Sequence, residues 1–161
     1  MFLKRRELSK KEKKRLYLAV TNEFTNLFPD DILKDLVELI GGDMTCYMDS
    51  NGQLVLIKKD GRLFPTLRFL QENPGDHQFV TVDNGAIPYV LNGAKIFAPG
   101  IVEHSSFKKN EIVLVKNLKG TVLAVGIAML DSEDLEANRK GAGAIVLSLH
   151  YLHDEIWNFK G

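Results

Sequence analysis

With 161 residues, 45% of them apolar and 26% charged, the chain has material for one large domain or two small ones, each with a hydrophobic core. Its single cysteine, Cys46, excludes an internal disulfide; no apolar run reaches the roughly 20 residues that span a bilayer, and the charged start is unlike a secretory leader, so a cytoplasmic protein with no membrane partner is expected. Basic and acidic residues balance at 21 each, which argues against a uniformly polyanion-binding chain but hides segregation: residues 1–15 carry a net +6, residues 16–77 a net −5 and residues 78–161 a net −1.

The first cluster holds Lys4, Arg5, Arg6, Lys10, Lys11, Lys13, Lys14 and Arg15 against Glu7 and Glu12. Two readings of it stand, a solvated helix start or a surface that contacts phosphates. Ser9-Lys10-Lys11-Glu12 has the spacing of a capping box and predicts a helix from Ser9, with Leu16, Val20, Phe24, Leu27 and Phe28 on its apolar side. Cations crowded into the first turns oppose the helix dipole, a local penalty that hints at a polyanion. Phe28-Pro29-Asp30 interrupts the pattern, and a second helix is predicted over about 31–40, closed by Gly41-Gly42. Strands over 45–48 and 54–57 follow, joined through Ser50-Asn51-Gly52, where Asn-Gly favours a tight hairpin turn. Asp60-Gly61 is a second turn. Residues 63–70 read as a strand end leading into a short helix with Pro65 near its start. Glu72-Asn73-Pro74-Gly75-Asp76 is rich in turn formers and divides the chain into domains over 1–76 and 77–161.

Beyond that boundary a strand is predicted over 79–82, and Asp83 is a plausible N-cap for a short helix ending at Asn92-Gly93. Residues 95–97 form a further strand closed by Pro99-Gly100. Strongly apolar segments follow at 112–115 and 122–129, separated by residues 117–120. Asp131-Ser132-Glu133-Asp134 opens a polar helix whose acids suit its N-terminus. The last strands are 145–149 and the stretch to His153. Several short strands with two small helices imply a compact mixed-sheet pseudo-barrel.

Motifs for catalysis are absent. There is no G-x-x-x-x-G-K-[ST], G-x-S-x-G or H-E-x-x-H. His150 and His153, three apart in a segment read as a strand, face opposite ways and have no partner at zinc spacing, so no metal site is expected. Cys46, in a strand and beside no evident base, is read as a buried structural thiol. Asp131, Glu133, Asp134 and Glu136 fit a solvated helix start better than a carboxylate centre. Gly141-Ala142-Gly143 lacks the continuation of a nucleotide loop and reads as a tight helix-to-strand passage. A non-enzyme without cofactors is expected.

One stretch is more specific. Val82-Asp83-Asn84-Gly85-Ala86-Ile87-Pro88-Tyr89-Val90-Leu91-Asn92-Gly93-Ala94-Lys95-Ile96-Phe97-Ala98-Pro99-Gly100-Ile101 closely resembles the signature of the PUA domain, the RNA-binding module named after pseudouridine synthases and archaeosine transglycosylases. Leu123-Ala124-Val125-Gly126-Ile127-Ala128 fits the same pattern. With Phe64-Pro65-Thr66-Leu67-Arg68-Phe69-Leu70 and the ending His150-Tyr151-Leu152-His153-Asp154-Glu155-Ile156-Trp157, nearly the whole chain resembles the malignant T-cell-amplified-sequence family, its archaeal-type relatives and the N-terminal part of ligatin.

The resemblance implies an α+β chain, with a small N-terminal α/β pre-PUA domain followed by a C-terminal PUA mixed-sheet pseudo-barrel. It also implies a non-catalytic protein that recognises structured RNA (tRNA or small-subunit ribosomal RNA) in translation initiation or recycling. The expected partners are the small ribosomal subunit and a density-regulated-protein-like factor. An alternative is an adaptor whose acidic middle region docks a translation factor while the barrel is a scaffold. Carried over from PUA domains, the RNA-contacting positions are Asn84, Gly85, Tyr89, Asn92, Gly93, Ala94, Lys95 and Pro99. Gly85 and Gly93 admit two readings, room for a sugar-phosphate backbone or ordinary helix start and C-cap. Asn84, Pro88 and Ala98 stand where PUA domains often carry Lys or Arg. Further phosphate contacts are therefore sought among Arg5, Arg6, Lys10, Lys11, Lys13, Lys14, Lys108 and Lys109.

Overall fold

The computed structural model describes residues 2–25, 27–29, 31–139 and 143–160. The chain separates into a unit Met1–Asp76 joined by Phe159–Gly161, and a second unit His77–Asn158. The last three residues, assigned above to the second domain, cluster with the first unit, where the Phe159 ring meets Phe2 at 5.2 Å.

In the first unit, β1 (Phe2–Glu7), β2 (Val37–Gly41), β3 (Met44–Met48), β4 (Leu54–Lys59) and β5 (Arg62–Pro65) form one antiparallel sheet in chain order. Helix α1 (Lys10–Glu23) lies between β1 and β2 in sequence, and α2 (Leu67–Glu72) follows β5. The capping box at Ser9 forms as its spacing predicts: Glu12 N–H donates to Ser9 Oγ, and Ser9 N–H donates to Glu12 Oε1. Val20, Phe24 and Phe28 are buried, and Phe28 stacks on Phe69 with ring centroids 4.6 Å apart.

The helix expected over 31–40 does not form. Its described residues make turns over 31–35 and then β2, whose burial alternates through Val37 and Leu39. Glu38 sits opposite Arg6 of β1 and Tyr47 of β3, so long-range pairing on both sides overrides a helix-like apolar spacing. Strand β1 itself was not anticipated. The β3–β4 connection runs over residues 49–53, where Asp49 N–H donates to Gln53 O around a three-residue tip, Gly52 N–H donates to Asp49 O and the Asp49 carboxylate accepts from Asn51 and Gln53 N–H, and it is not a two-residue Asn-Gly turn. Asp60-Gly61 is the two-residue turn, both residues having positive φ (52° and 75°). Pro65 ends β5 and Thr66 caps α2, its Oγ1 accepting from Phe69 N–H.

The second unit is a six-stranded mixed sheet in the order β7-β11-β10-β9-β6-β8, curved into a nearly closed barrel. Its strands are β6 (Phe79–Val82), β7 (Ile96–Phe97), β8 (Ile101–His104), β9 (Ile112–Lys116), β10 (Val122–Ala128) and β11 (Ala144–Tyr151). Among the described strands only β6 and β9 pair in parallel. Val80, Val82, Val90, Ile101, Val113, Val115, Ala124 and Ile145 fill its interior. Residues 83–93 hold a short 3-10 turn and α3 (Ile87–Val90).

Three further corrections apply here. Strand β8 follows Pro99-Gly100 directly, where only a turn was expected. The polar helix at 131 is instead two 3-10 turns, Ser132–Asp134 and Glu136–Asn138, and Asp131 accepts from Lys109 N–H instead of capping its own turn. His153 lies beyond β11 at φ 72°. Asp30 of the expected break and Gly141-Ala142 of the expected glycine passage lie outside the described residues.

Candidate nucleic-acid interface

The chain leaves β6 at Asp83, whose Oδ1 accepts the Ala86 N–H at 3.0 Å and whose own N–H donates to Gly100 O at 2.9 Å. This ties the start of the elbow to the loop that follows β7. Pro88 is accommodated in the first turn of α3, where its missing N–H has no helical partner to lose. After Val90 the chain reverses: Gly93 N–H donates to Val90 O and Ala94 N–H to Tyr89 O. Gly93 has φ 76°, and a Cβ there would lie 2.6 Å from Tyr151 Cε1. Gly93 is therefore explained by C-capping and by a close approach within the protein, the second of the two readings given above.

Between this elbow and the β7–β8 connection lies a groove of about 460 Å³, lined by Asp83, Gly85, Ala86, Tyr89, Val90, Ala94, Lys95, Ile96, Phe97, Pro99 and Gly100. Five of the eight carried-over positions line it: Gly85, Tyr89, Ala94, Lys95 and Pro99. Asn84, Asn92 and Gly93 do not. Gly85 is exposed, and a Cβ added there would come no nearer than 3.4 Å to Asp83 Oδ1, so its surface is open.

The lining is largely apolar. Tyr89 is 68% exposed and Phe97 44% exposed, while Val90 and Ile96 are buried beneath them. Two aromatic side chains thus stand free at the groove with one cation, Lys95, and one acid whose Oδ1 is already hydrogen-bonded. Phe97 was not among the expected positions. Its signal was the two-residue period of β7, which puts Ile96 inward and Phe97 outward.

A second unanticipated residue is Arg139. Its Nη1 donates to Ala98 O at 3.2 Å and to Ile101 O at 3.0 Å, bracing the backbone that carries Pro99 and Gly100. Its Nε and Nη2 donate to the Glu136 carboxylate, which the guanidinium holds below the ordinary carboxylate range. Nothing in the sequence links position 139 to position 98, because the contact exists only once β7 and the second 3-10 turn meet.

The dispersed cations divide into two groups. Arg6 donates to Glu12 and Glu38, and Lys13 Nζ donates to Lys34 O, so these two serve internal contacts. The same guanidinium, with help from the Ser9 backbone, holds the Glu12 carboxyl at about 2. Burial, with Glu38 nearby, pushes the Tyr47 hydroxyl well above its ordinary value. Lys108 pairs with Glu133 at 3.6 Å, and neither Lys108 nor Lys109 lines the groove. Lys10, Lys11 and Lys14 are exposed on α1, and Arg5 on β1. Among the described residues no group of acids, histidines and cysteines could hold a metal ion, and no helix is long and apolar enough to cross a membrane.

Comparison with known proteins assigns both units. Residues 78–148 match the PUA domain, and residues 4–73 match a domain of unknown function (DUF1947). The uncharacterized protein MJ1432 of Methanocaldococcus jannaschii is 36% identical over 98% of this chain and 98% of its own length. Translation machinery-associated protein 20 of Saccharomyces cerevisiae is 30% identical over 78% of this chain and 74% of that protein. The match to malignant T-cell-amplified sequence 1-B of Xenopus laevis, at 32% identity, spans 68% of this chain but only 63% of that relative. The solved structure of a conserved PUA domain protein from Thermoplasma acidophilum superposes with a TM-score of 0.77 at 30% identity, over 96% of this chain and 98% of that one.

Proposed function

The chain belongs to the family of PUA-domain proteins that includes translation machinery-associated protein 20 and malignant T-cell-amplified sequence 1, and on that premise we propose that it is a non-catalytic, cytoplasmic RNA-binding protein that recognises tRNA or small-subunit ribosomal RNA through the groove of its second unit. RNA binding in the setting of translation is the coarse function. The finer assignment rests on the chemistry of the groove.

The observation that carries it is that exposed Tyr89 and Phe97 line the same largely apolar groove, together with Lys95. Sequence-specific RNA recognition favours unstacked bases laid on aromatic side chains. Each base–aromatic stack contributes roughly 1–3 kcal/mol. Among the described residues that line the groove Lys95 is the one cation, too few to bind a phosphodiester run by charge alone. It therefore receives a base from a single-stranded end, and Lys95 meets the adjoining phosphate. The small ribosomal subunit and a density-regulated-protein-like factor belong to the same proposal as the setting in which that end is presented.

Filter binding of tRNA across a salt series tests the assignment. Affinity falls with salt for the parent and falls further in Lys95→Glu; equal binding by that variant would place the site elsewhere. Pull-down from extract with and without nuclease separates RNA-borne partners from a direct protein contact.

A further inference from the structure

The first unit matches a domain with no assigned role, and its helix α1 sorts its charges in an unusual way. The exposed positions of the helix are Lys10, Lys11, Lys14, Arg15, Leu18, Ala19 and Asn22. At 100° per residue, Lys10, Lys14, Lys11 and Arg15 fall within one arc of about 140° on the solvent side. Both acids of the helix lie off that arc. Glu12 is held by Arg6 of β1 at 2.5 and 3.1 Å, and Glu23 accepts from Arg62 of β5 at 3.1 Å. The sheet thus supplies arginines to neutralise the helix's acids, and the outer arc carries four cations and no acid, with exposed Leu18 and Asn22 beside them.

Local physics opposes this arrangement. Lys10 and Lys14, and likewise Lys11 and Arg15, are like charges four residues apart, which repel on a helix surface. Lys10 and Lys11 also stand at the positive end of the helix dipole. The capping box and the Arg6–Glu12 contact hold the helix in spite of them. Among the described residues, none of these four cations has a hydrogen-bonded or ion-paired acidic partner. Arg15 borders a cleft shared with Glu12, Glu38 and Lys58, but Arg6 already donates to both of those carboxylates.

We infer that the outer face of α1, through Lys10, Lys11, Lys14 and Arg15, is a second RNA-binding surface that engages the phosphate backbone independently of base sequence. Four long, mobile cations in one arc, with Leu18 as the one large apolar side chain exposed among them, match the electrostatic binding of a nucleic-acid backbone. A protein partner would need a desolvated apolar anchor, and Leu18 alone is exposed here. A membrane-surface helix needs an apolar face left for the bilayer, and this helix buries Val20 in the protein and turns Leu16 away from full exposure. The proposal does not rest on the groove of the second unit.

The test uses the full chain and a fluorescent RNA hairpin with a single-stranded 3′ extension, titrated between about 50 and 200 mM salt. Replacing Lys10, Lys11, Lys14 and Arg15 together by Gln lowers the slope of log affinity against log salt by about 3, and lowers affinity about tenfold or more at the lower salt. The thermal midpoint of that variant is unchanged or higher, since like charges have been removed. Replacing the three lysines by arginine keeps the slope. An unchanged slope in the Gln variant overturns the inference, as does parent binding to phosphatidylserine vesicles in place of RNA. A Tyr89→Ala control separates the two sites: it weakens binding without moving the slope, and if it has no effect the groove assignment fails while the α1 surface stands.

Discussion

Gly93 and Tyr151 are fitted to each other, with the ring edge 2.6 Å from where a Cβ would stand at position 93. Tyr151 is itself fixed by Asp154, whose Oδ2 accepts the Tyr151 N–H at 2.9 Å and lies 2.7 Å from Nδ1 of buried His150. Asp154 Oδ1 accepts from Ile156 and Trp157 N–H. Burial alone would push the Asp154 carboxyl up, but His150 and these backbone N–H groups outweigh it and hold the carboxyl below its ordinary value. The C-terminal turn of the second unit therefore sets where the α3 elbow ends.

Gly93→Ala adds both a strained left-handed residue and a steric overlap, and should destabilise the protein by on the order of 2–4 kcal/mol. Urea unfolding reads it directly. A midpoint equal to the parent's would mean that the elbow relaxes away from Tyr151 freely.

Arg139→Ala removes a charged donor from two carbonyls of the groove wall and should loosen that wall. Amide exchange at Ile101, whose N–H donates to Ala98 O, should accelerate more than exchange in β10. Arg139→Lys should not restore it, because an ammonium lacks the planar fork that reaches both Glu136 and the carbonyls. Full protection in Arg139→Lys would show that charge alone suffices.

The pH dependence has a defined sign. The Glu12 carboxyl is held at about 2 in the folded chain, below its ordinary value of 4.5. The unfolded chain therefore binds the proton first on acidification. The stabilisation is fully present above about pH 5 and is lost as pH falls toward 2. Asp154 adds to the same acid side, since its folded value is also depressed. Glu12→Gln keeps the capping geometry but not the charge, so the fall in thermal midpoint between pH 5 and 2 should become shallower. A parallel curve in the variant would show that Arg6 does not stabilise the ionised form.

Much of this was legible in the residues. The capping box at Ser9, the turn at Asp60-Gly61, strands β6, β9 and β10 and the Asp83 cap each follow from local chemistry, and each forms. The failures share a cause. Strand β2 carries helix-like apolar spacing and is a strand because Arg6 and Tyr47 flank Glu38 across the sheet. Strand β1 is dense in charge and gives no local strand pattern. At the groove, Tyr89 and Lys95 were accessible through the PUA resemblance and Phe97 only through the alternation of β7, whereas Arg139 and the Gly93–Tyr151 fit depend on elements distant in sequence.

Photocrosslinking most directly tests the central claim that the groove of the second unit takes an unstacked base. An RNA carrying 4-thiouridine at its single-stranded 3′ end is crosslinked to the full chain, and the modified peptide is mapped by mass spectrometry. The crosslink should fall on Tyr89 or Phe97 and disappear when both are replaced by Ala. A crosslink that survives that replacement, or that maps only to α1, would contradict it.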